Sequence, residues 1–479
     1  MAVGSNEVDQ TFSRNALIAL VVGSMVGSGI FALPAAFGRA TGAFGAIIAW
    51  IIAGTGMLML ALVFQSLAQR KPELDAGIYA YAKAGFGDYV GFASASGYWI
   101  GCCLADVVCL ILIKGTLGLF FPIFGDGTTL VAIASASLLL WSVHFLVLRG
   151  VKGAAALNTV ATYAKVIPIL LFIAVAAMLL DREQLSRNFW GTEQPDARQI
   201  VSQVRSTMLL TVFVFVGIEG ASVYSRYARR RADIGFATVV GFLTVLCLLV
   251  LVTLLSYGVL PQSALADLPT PSMAGVMESM VGRWGGVFIS LGLLISVLGN
   301  YLSWSLLAAE VLHSAAIHRT MPSFLARENA HKAPAGALWL TNCVIQAFLL
   351  VSWFAEYAFT LALKMTSAMT LIPYFLVAAY GLKLASTGET YDRGAQTRTA
   401  DGIRAGIATI YAVAMIYAGG LKFLLLSSIL YAPGTLLFLI AKRERKEVAF
   451  NRIEAVLFAA IALAAGAGIC ALAVGAISI

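Results

Sequence analysis

The chain has 479 residues, of which 60% are hydrophobic and 12% charged, and its mean hydropathy is +0.88. That balance excludes a water-soluble globular protein and predicts an integral membrane protein. A formal net charge of +8 would suggest nucleic acid in a soluble chain, but here the placement of the charges reports membrane orientation, and nucleic acid is an unnecessary partner.

Apolar runs of about 20 residues, each enough to cross ~30 Å of hydrocarbon, recur along the chain. About thirteen are predicted, near 13–37, 44–68, 88–118, 129–148, 156–180, 205–228, 235–258, 284–314, 336–354, 357–385, 403–419, 421–441 and 452–475. The expectation is an all-α polytopic protein. The first run is too long and glycine-rich for a cleaved signal peptide. Positive residues follow the even-numbered runs: Arg70, Lys71 and Lys83; Arg149 and Lys152; Arg226, Arg229, Arg230 and Arg231; Arg319, Arg327 and Lys332; Lys383, Arg393 and Arg398; and Lys442, Arg443, Arg445 and Lys446. Segments after odd-numbered runs carry few in excess. The positive-inside rule then puts the N-terminus in the cytoplasm, and an odd span count puts the C-terminus outside.

The first run contains "VVGSMVGSGIFALPA", with three glycines and two serines between Gly23 and Gly29. Glycine costs about 1 kcal/mol relative to alanine inside a helix, and backbone groups freed in hydrocarbon cost several more unless protein or ligand satisfies them. A second interruption lies five runs later, at "VFVFVGIEGASVYSRYARR", where Gly217 and Gly220 bracket Glu219. Breaks at matching positions, five spans apart, predict two five-helix halves of inverted topology, with bared half-helix ends meeting near the midplane to hold a zwitterion's carboxylate and amine. Close helix packing through small residues is the competing reading.

Ionisable residues inside spans cost at least ~2.5 kcal/mol each on insertion scales and are functional by default. Asp106 lies deep in the third span, where a carboxylate can neutralise a guanidinium or ammonium; a pair with Lys114 is disfavoured by the ~12 Å of helix between them. Glu219 follows the second break, with a helix-start carboxylate capping free N–H groups as the alternative. Lys165 sits roughly 14 Å into the fifth span, with snorkelling to an interface as its alternative. Lys364 and Glu310 are less legible, and Glu310 is given no substrate role. Cys102, Cys103, Cys109, Cys247, Cys343 and Cys470 all fall in spans, which favours small buried apolar roles over metal or disulfide chemistry. The four histidines form no paired metal motif, and neither metal, cofactor nor enzyme activity is expected.

"GSMVGSGIFALP", the loop "PELDAGIYAYAKAGFGDYVGF", "FVGIEGASV" and "WSLLAAEVLHSAAIHRTMPSFLARENAHKAPAGAL" resemble the amino acid, polyamine and organocation superfamily, in its basic amino acid/polyamine antiporter branch. The resemblance runs to about residue 440, and "GYWIGCCLADVVCLILIKGTLG" with the thirteenth span narrows it to the members that exchange arginine for ornithine. It implies a five-plus-five inverted-repeat fold and alternating access. It also implies electroneutral entry of arginine and exit of ornithine across a bacterial inner membrane, in support of arginine deiminase catabolism. By motif position, Ser28 and Gly29 would meet the substrate carboxylate, and Met25 and Val216 would offer carbonyls to the α-amine. Tyr98, Cys102 and Asp106 would line the third span's side, although the similar arginine/agmatine antiporters carry an amide at the Asp106 position. Trp304 would stack on the guanidinium, and Phe213 would cover the substrate. Each aromatic has an ordinary membrane-core role as its alternative. Glu219 would gate or sense protons, and the Lys165 ammonium would replace sodium against first-span carbonyls.

The expected division is a cytoplasmic segment 1–12, a first repeat 13–180, an extracytoplasmic loop 181–204, a second repeat 205–385 and C-terminal helices over 386–479. A homodimer is a further expectation from the resemblance. The competing functions are a proton-coupled lysine or arginine permease, an arginine/agmatine-type antiporter and, in a different class, a permease-like sensor.

Overall fold

The computed structural model describes residues 14–74, 77–149, 154–192, 196–219, 231–354, 357–391 and 396–477. Segment 1–12, Lys152, Gly220, the basic run 226–230 and Arg393 lie outside the described residues. Among those described, the chain is helical and forms no strand. In order come α1 (Arg14–Met25), α2 (Leu33–Gly38), α3 (Ala43–Arg70), α4 (Ile78–Phe86), α5 (Asp88–Gly118), α6 (Leu130–Leu148), α7 (Ala154–Met178), α8 (Arg182–Arg187) and α9 (Ala197–Phe213). Then follow α10 (Arg231–Ser256), α11 (Gln262–Asp267), α12 (Ser272–Val281), α13 (Arg283–Ile317), α14 (Ala335–Val351), α15 (Ala358–Thr387), α16 (Gln396–Glu444) and α17 (Arg452–Ala473). Eight described helices are long and apolar enough to cross a membrane: α3, α5, α6, α10, α13, α15, α16 and α17. Non-helical dihedrals at Gly420 (φ 76°, ψ 175°) split α16 into two segments.

Both sequence-predicted breaks form. Val26 N–H still reaches the Val22 carbonyl at 2.8 Å, but Gly27 is extended (φ −103°, ψ −164°). A tight turn, Ser28–Ala32, leads into α2, where Pro34 sits in the first turn and removes only a donor that has no helical partner there. In the second break, α9 gives way to successive turns through Gly217, whose φ of +108° favours glycine. A Cβ on Gly217 would lie 2.6 Å from the Ser24 carbonyl oxygen, so glycine is also what lets the two breaks touch. Ser24 Oγ donates to the Gly217 carbonyl at 3.3 Å across this junction.

The core is built around α5, which packs against α13 and α15. In its apolar stretch 83% of residues are buried, against 11% for α17, which rests mainly on α16. Such enclosure explains why α5 is apolar on every side. Ion pairs tie the ends that follow even-numbered runs: Arg70–Asp401 (3.0 Å), Lys71–Glu389 (2.7 Å) and Lys442–Asp88 (2.7 Å). Near that end Asn451 and Glu454 form a reciprocal capping box at the start of α17, and Glu454 also accepts the Tyr89 backbone N–H at 3.0 Å. The cysteines divide rather than sharing one role: Cys102, Cys103 and Cys109 are buried, whereas Cys247, Cys343 and Cys470 are exposed. The reason is geometric, since a span contributes an outward face as well as an inward one.

Candidate functional site

The two breaks bound a cleft. Its lining includes Met25, Ser28 and Gly29 from the first break, Phe213 and Val216 from the second, Trp304 from α13, Ala105 from α5 and Thr366 from α15. Unwinding exposes peptide groups that a continuous helix would have used internally, so both donors and acceptors are offered in a small volume. Gly29 allows the Phe213 ring to close over the turn: a Cβ there would lie 2.8 Å from ring atom Cε1. Trp304 presents a half-buried indole to the same space, and its face attracts cations.

Beside the cleft, the first break is held by a cation. Lys165 of α7 is 2% exposed, so it does not snorkel. Its ammonium donates to the Gly23 carbonyl at 3.2 Å and to Asn300 Oδ1 of α13. An ammonium on the last carbonyls of α1 is favoured by the negative end of the helix dipole. Asn300 Nδ2 is buried, has no hydrogen-bond partner among the described residues and lies 3.6 Å from where a Gly27 Cβ would stand.

The second break is held by an anion. Glu219 Oε1 accepts the Tyr98 hydroxyl of α5, while Oε2 accepts Tyr374 of α15 at 2.6 Å and the Gly217 N–H at 3.2 Å. Capping a free N–H and joining two helices to the break are therefore one arrangement. Tyr98, which sequence position put near substrate, is turned to this junction instead of the cleft.

Asp106 is fully buried beside the cleft but does not line it. Ser305 donates to its Oδ2 at 2.8 Å, and Oδ1 has no hydrogen-bond partner among the described residues. No ion pair joins it to Lys114 among the described residues. Cys102 is also buried outside the lining, whereas Cys109, which sequence reasoning passed over, places its thiol 3.9 Å from Ser28 Oγ. Six of the nine expected substrate contacts thus share the cleft, and Tyr98, Cys102 and Asp106 are buried in α5 outside its lining. Glu310 is exposed on α13. The sequence reading missed Asn300, Ser305, Thr366 and Tyr374. One signal was available for Asn300, because it lies four residues before Trp304 on the same helix face.

Comparison with known proteins adds to this geometry. The amino acid permease family model matches residues 12–438. An arginine/ornithine antiporter of Pseudomonas aeruginosa is 54% identical over 467 residues, covering 96% of this chain and 97% of that one. An L-lysine transport protein of Corynebacterium glutamicum is 41% identical over 491 residues, covering 99% and 98%. The crystal structure of MhsT in complex with L-phenylalanine superposes with a TM-score of 0.60 at 14% identity, covering 86% of this chain and 99% of that one. At that identity the likeness speaks to fold alone, and it agrees with the five-plus-five inverted repeat that the paired breaks predict. With the family model spanning most of the sequence and both relatives aligning almost end to end, the chain belongs to the amino acid permease family.

Proposed function

We propose that this protein is a secondary transporter that exchanges external arginine for internal ornithine by alternating access. The observation that carries the reading is the cleft between the two breaks, where bared peptide groups face a tryptophan. A cationic amino acid has matching parts: a carboxylate for Ser28 and Gly29, an α-amine for the carbonyls of Met25 and Val216, and a cationic tail for Trp304. Phe213 closes over it, and Asp106 with Ser305 supplies negative potential from outside the lining. Lys165 and Glu219 hold the two breaks and gate them. The name borne by the 54% identical relative supports this substrate pair. Exchange of one monocation for another moves no net charge and runs on the two gradients, which suits arginine deiminase catabolism.

In the same proposal the chain has about thirteen spans in a bacterial inner membrane, with a cytoplasmic N-terminus and an extracytoplasmic C-terminus. Repeats of 13–180 and 205–385 flank the loop 181–204, C-terminal helices follow over 386–479, and the protein assembles as a homodimer. The test is labelled arginine uptake into proteoliposomes holding ornithine, agmatine, lysine or nothing, without an ion gradient. Rapid uptake with ornithine inside and none into empty vesicles is expected. Equal uptake into empty vesicles would overturn exchange and favour a proton-coupled permease.

A further inference from the structure

Three cations stand together at one end of the bundle, away from the cleft. Ser367 Oγ of α15 donates to the Leu209 carbonyl of α9 at 2.6 Å, and further along α15, past the end of α9, Tyr374 meets Glu219. The two helices therefore run side by side in one direction. Arg205 and Lys364 each precede the Ser367–Leu209 contact by about one turn, which puts them at the same level. A Cβ on Gly419 of α16 would touch the Leu209 side chain at 3.3 Å, so the Gly420 kink reaches this level too. Arg205 Nε donates to the Ala418 carbonyl at 3.2 Å, and its guanidinium lies over the Tyr417 ring at 5.3 Å. Lys422 follows the kink by two residues, and Arg205 Nη2 lies 3.3 Å from where a Gly420 Cβ would stand. Both lysines are half-buried, and no carboxylate pairs with Arg205, Lys364 or Lys422 among the described residues.

Three cations held together without an acid form a site of like charge, which costs free energy unless an anion sits there. Thr366 lines the cleft and Lys364 lies two positions before it, roughly 200° around α15, so the cluster faces away from the transport path. What borders it is apolar: Tyr417, Leu421 and Leu424 of α16 are 76%, 68% and 44% exposed. Leu421 directly precedes Lys422 in the chain, and Leu424 shares its face one turn further along the helix.

We propose that Arg205, Lys364 and Lys422 bind the phosphate of an anionic phospholipid whose acyl chain lies along Leu421 and Leu424. A free phosphate would use the cations but leave the apolar strip unexplained. Lipid binding here clamps α9, the outer half of the second broken segment, against α15 and α16.

The full-length protein in neutral detergent tests this through its unfolding midpoint, followed by tryptophan fluorescence. Short-chain phosphatidylglycerol, short-chain phosphatidylcholine and inorganic phosphate are titrated separately. Phosphatidylglycerol alone is expected to raise the midpoint. Removing one lysine is expected to increase the half-saturating concentration about five-fold, and the double change Lys364→Gln with Lys422→Gln about 25-fold. If the double variant does not fold, Lys422→Gln alone provides the five-fold test. An unchanged response in the variants, an equal effect of phosphatidylcholine, or an equal effect of inorganic phosphate would each overturn the lipid site.

Discussion

Gly29 is where the smallest change should have the largest effect on transport. In Gly29→Ala the added methyl would lie 2.8 Å from Phe213 Cε1, 2.9 Å from Cδ1 and 2.9 Å from Val214 Cγ1, where ordinary contact begins at 3.4 Å. The obstacle is a ring that is 9% exposed, not the free end of a flexible side chain, so it must rotate or the turn must move. Overpacking of this kind costs about 1–3 kcal/mol, which corresponds to a factor of roughly 5 to 150 in the population of the closed form. The initial rate of arginine–ornithine exchange in proteoliposomes should fall within that range. Gly406→Ala is the control: a Cβ there meets nothing within 4 Å, and helix propensity makes the change neutral or stabilising by up to about 1 kcal/mol. On a Phe213→Leu background the part of the Gly29→Ala cost that comes from the ring should vanish, leaving only the contact with Val214 Cγ1. Full exchange by Gly29→Ala alone, or an undiminished cost on the Phe213→Leu background, would refute ring closure over this turn.

Trp304→Leu should weaken arginine by about 2- to 30-fold, from ~0.5–2 kcal/mol of cation–π attraction, and ornithine by less; equal losses in competition assays would remove the stacking argument. Asp106→Asn keeps a partner for Ser305 but removes the charge, so inhibition by arginine should fall toward that of its neutral isostere citrulline, and unchanged discrimination would count against electrostatic selection. Tyr98→Phe and Tyr374→Phe each take one donor from Glu219, for about 1.5–3 kcal/mol apiece; because they share one carboxylate, their effects on the unfolding midpoint should be non-additive, and simple addition would argue against a joint network. Outside the spans, the hydrogen bond from Lys442 holds the exposed Glu447 carboxylate below its ordinary range. Its contribution is present above that range and lost as pH falls through the lowered value. The stability gap between the wild type and Glu447→Gln should therefore close on acidification, and a gap that widens would reverse the assignment.

Both breaks were legible in the sequence because glycine is costly in a helix interior and its clustering there needs a cause. Lys165 was legible because a charge deep in a span has few innocent explanations. The face of α5 was not. Ala105 and Asp106 differ by one residue and hence by about 100° around the helix, and hydrophobic periodicity separates such neighbours only when one side of a helix is polar. Since α5 is enclosed nearly all round, its sequence carries no such mark, and Ala105 takes the place in the lining expected of Asp106. Asn300, Ser305, Thr366 and Tyr374 escaped for a related reason. A neutral polar side chain in an apolar helix often bonds its own backbone, as Thr366 does to Ala362, and only long-range geometry separates these from Tyr374 or Asn300.

The placement of fixed charge explains how one cleft accommodates a dipolar substrate. Lys165 occupies the carbonyl at the end of α1, and Glu219 occupies the amide of Gly217, so each break already has an ion at its most polarised point. Those ions are tied to different walls, Lys165 to α13 through Asn300 and Glu219 to α5 and α15 through the tyrosines. Ser24 joins the breaks to each other. A conformational change that moves the broken segments relative to α5, α13 or α15 must therefore stretch a hydrogen bond to one of these ions. In the proposed function the peptide groups at Met25, Ser28, Gly29 and Val216 meet the substrate, and binding there compensates for a strained ion contact only when both its carboxylate and its amine are present. Exchange instead of free leak follows if the empty cleft lacks that compensation, since the unloaded protein then has a higher barrier to reorientation than the loaded one.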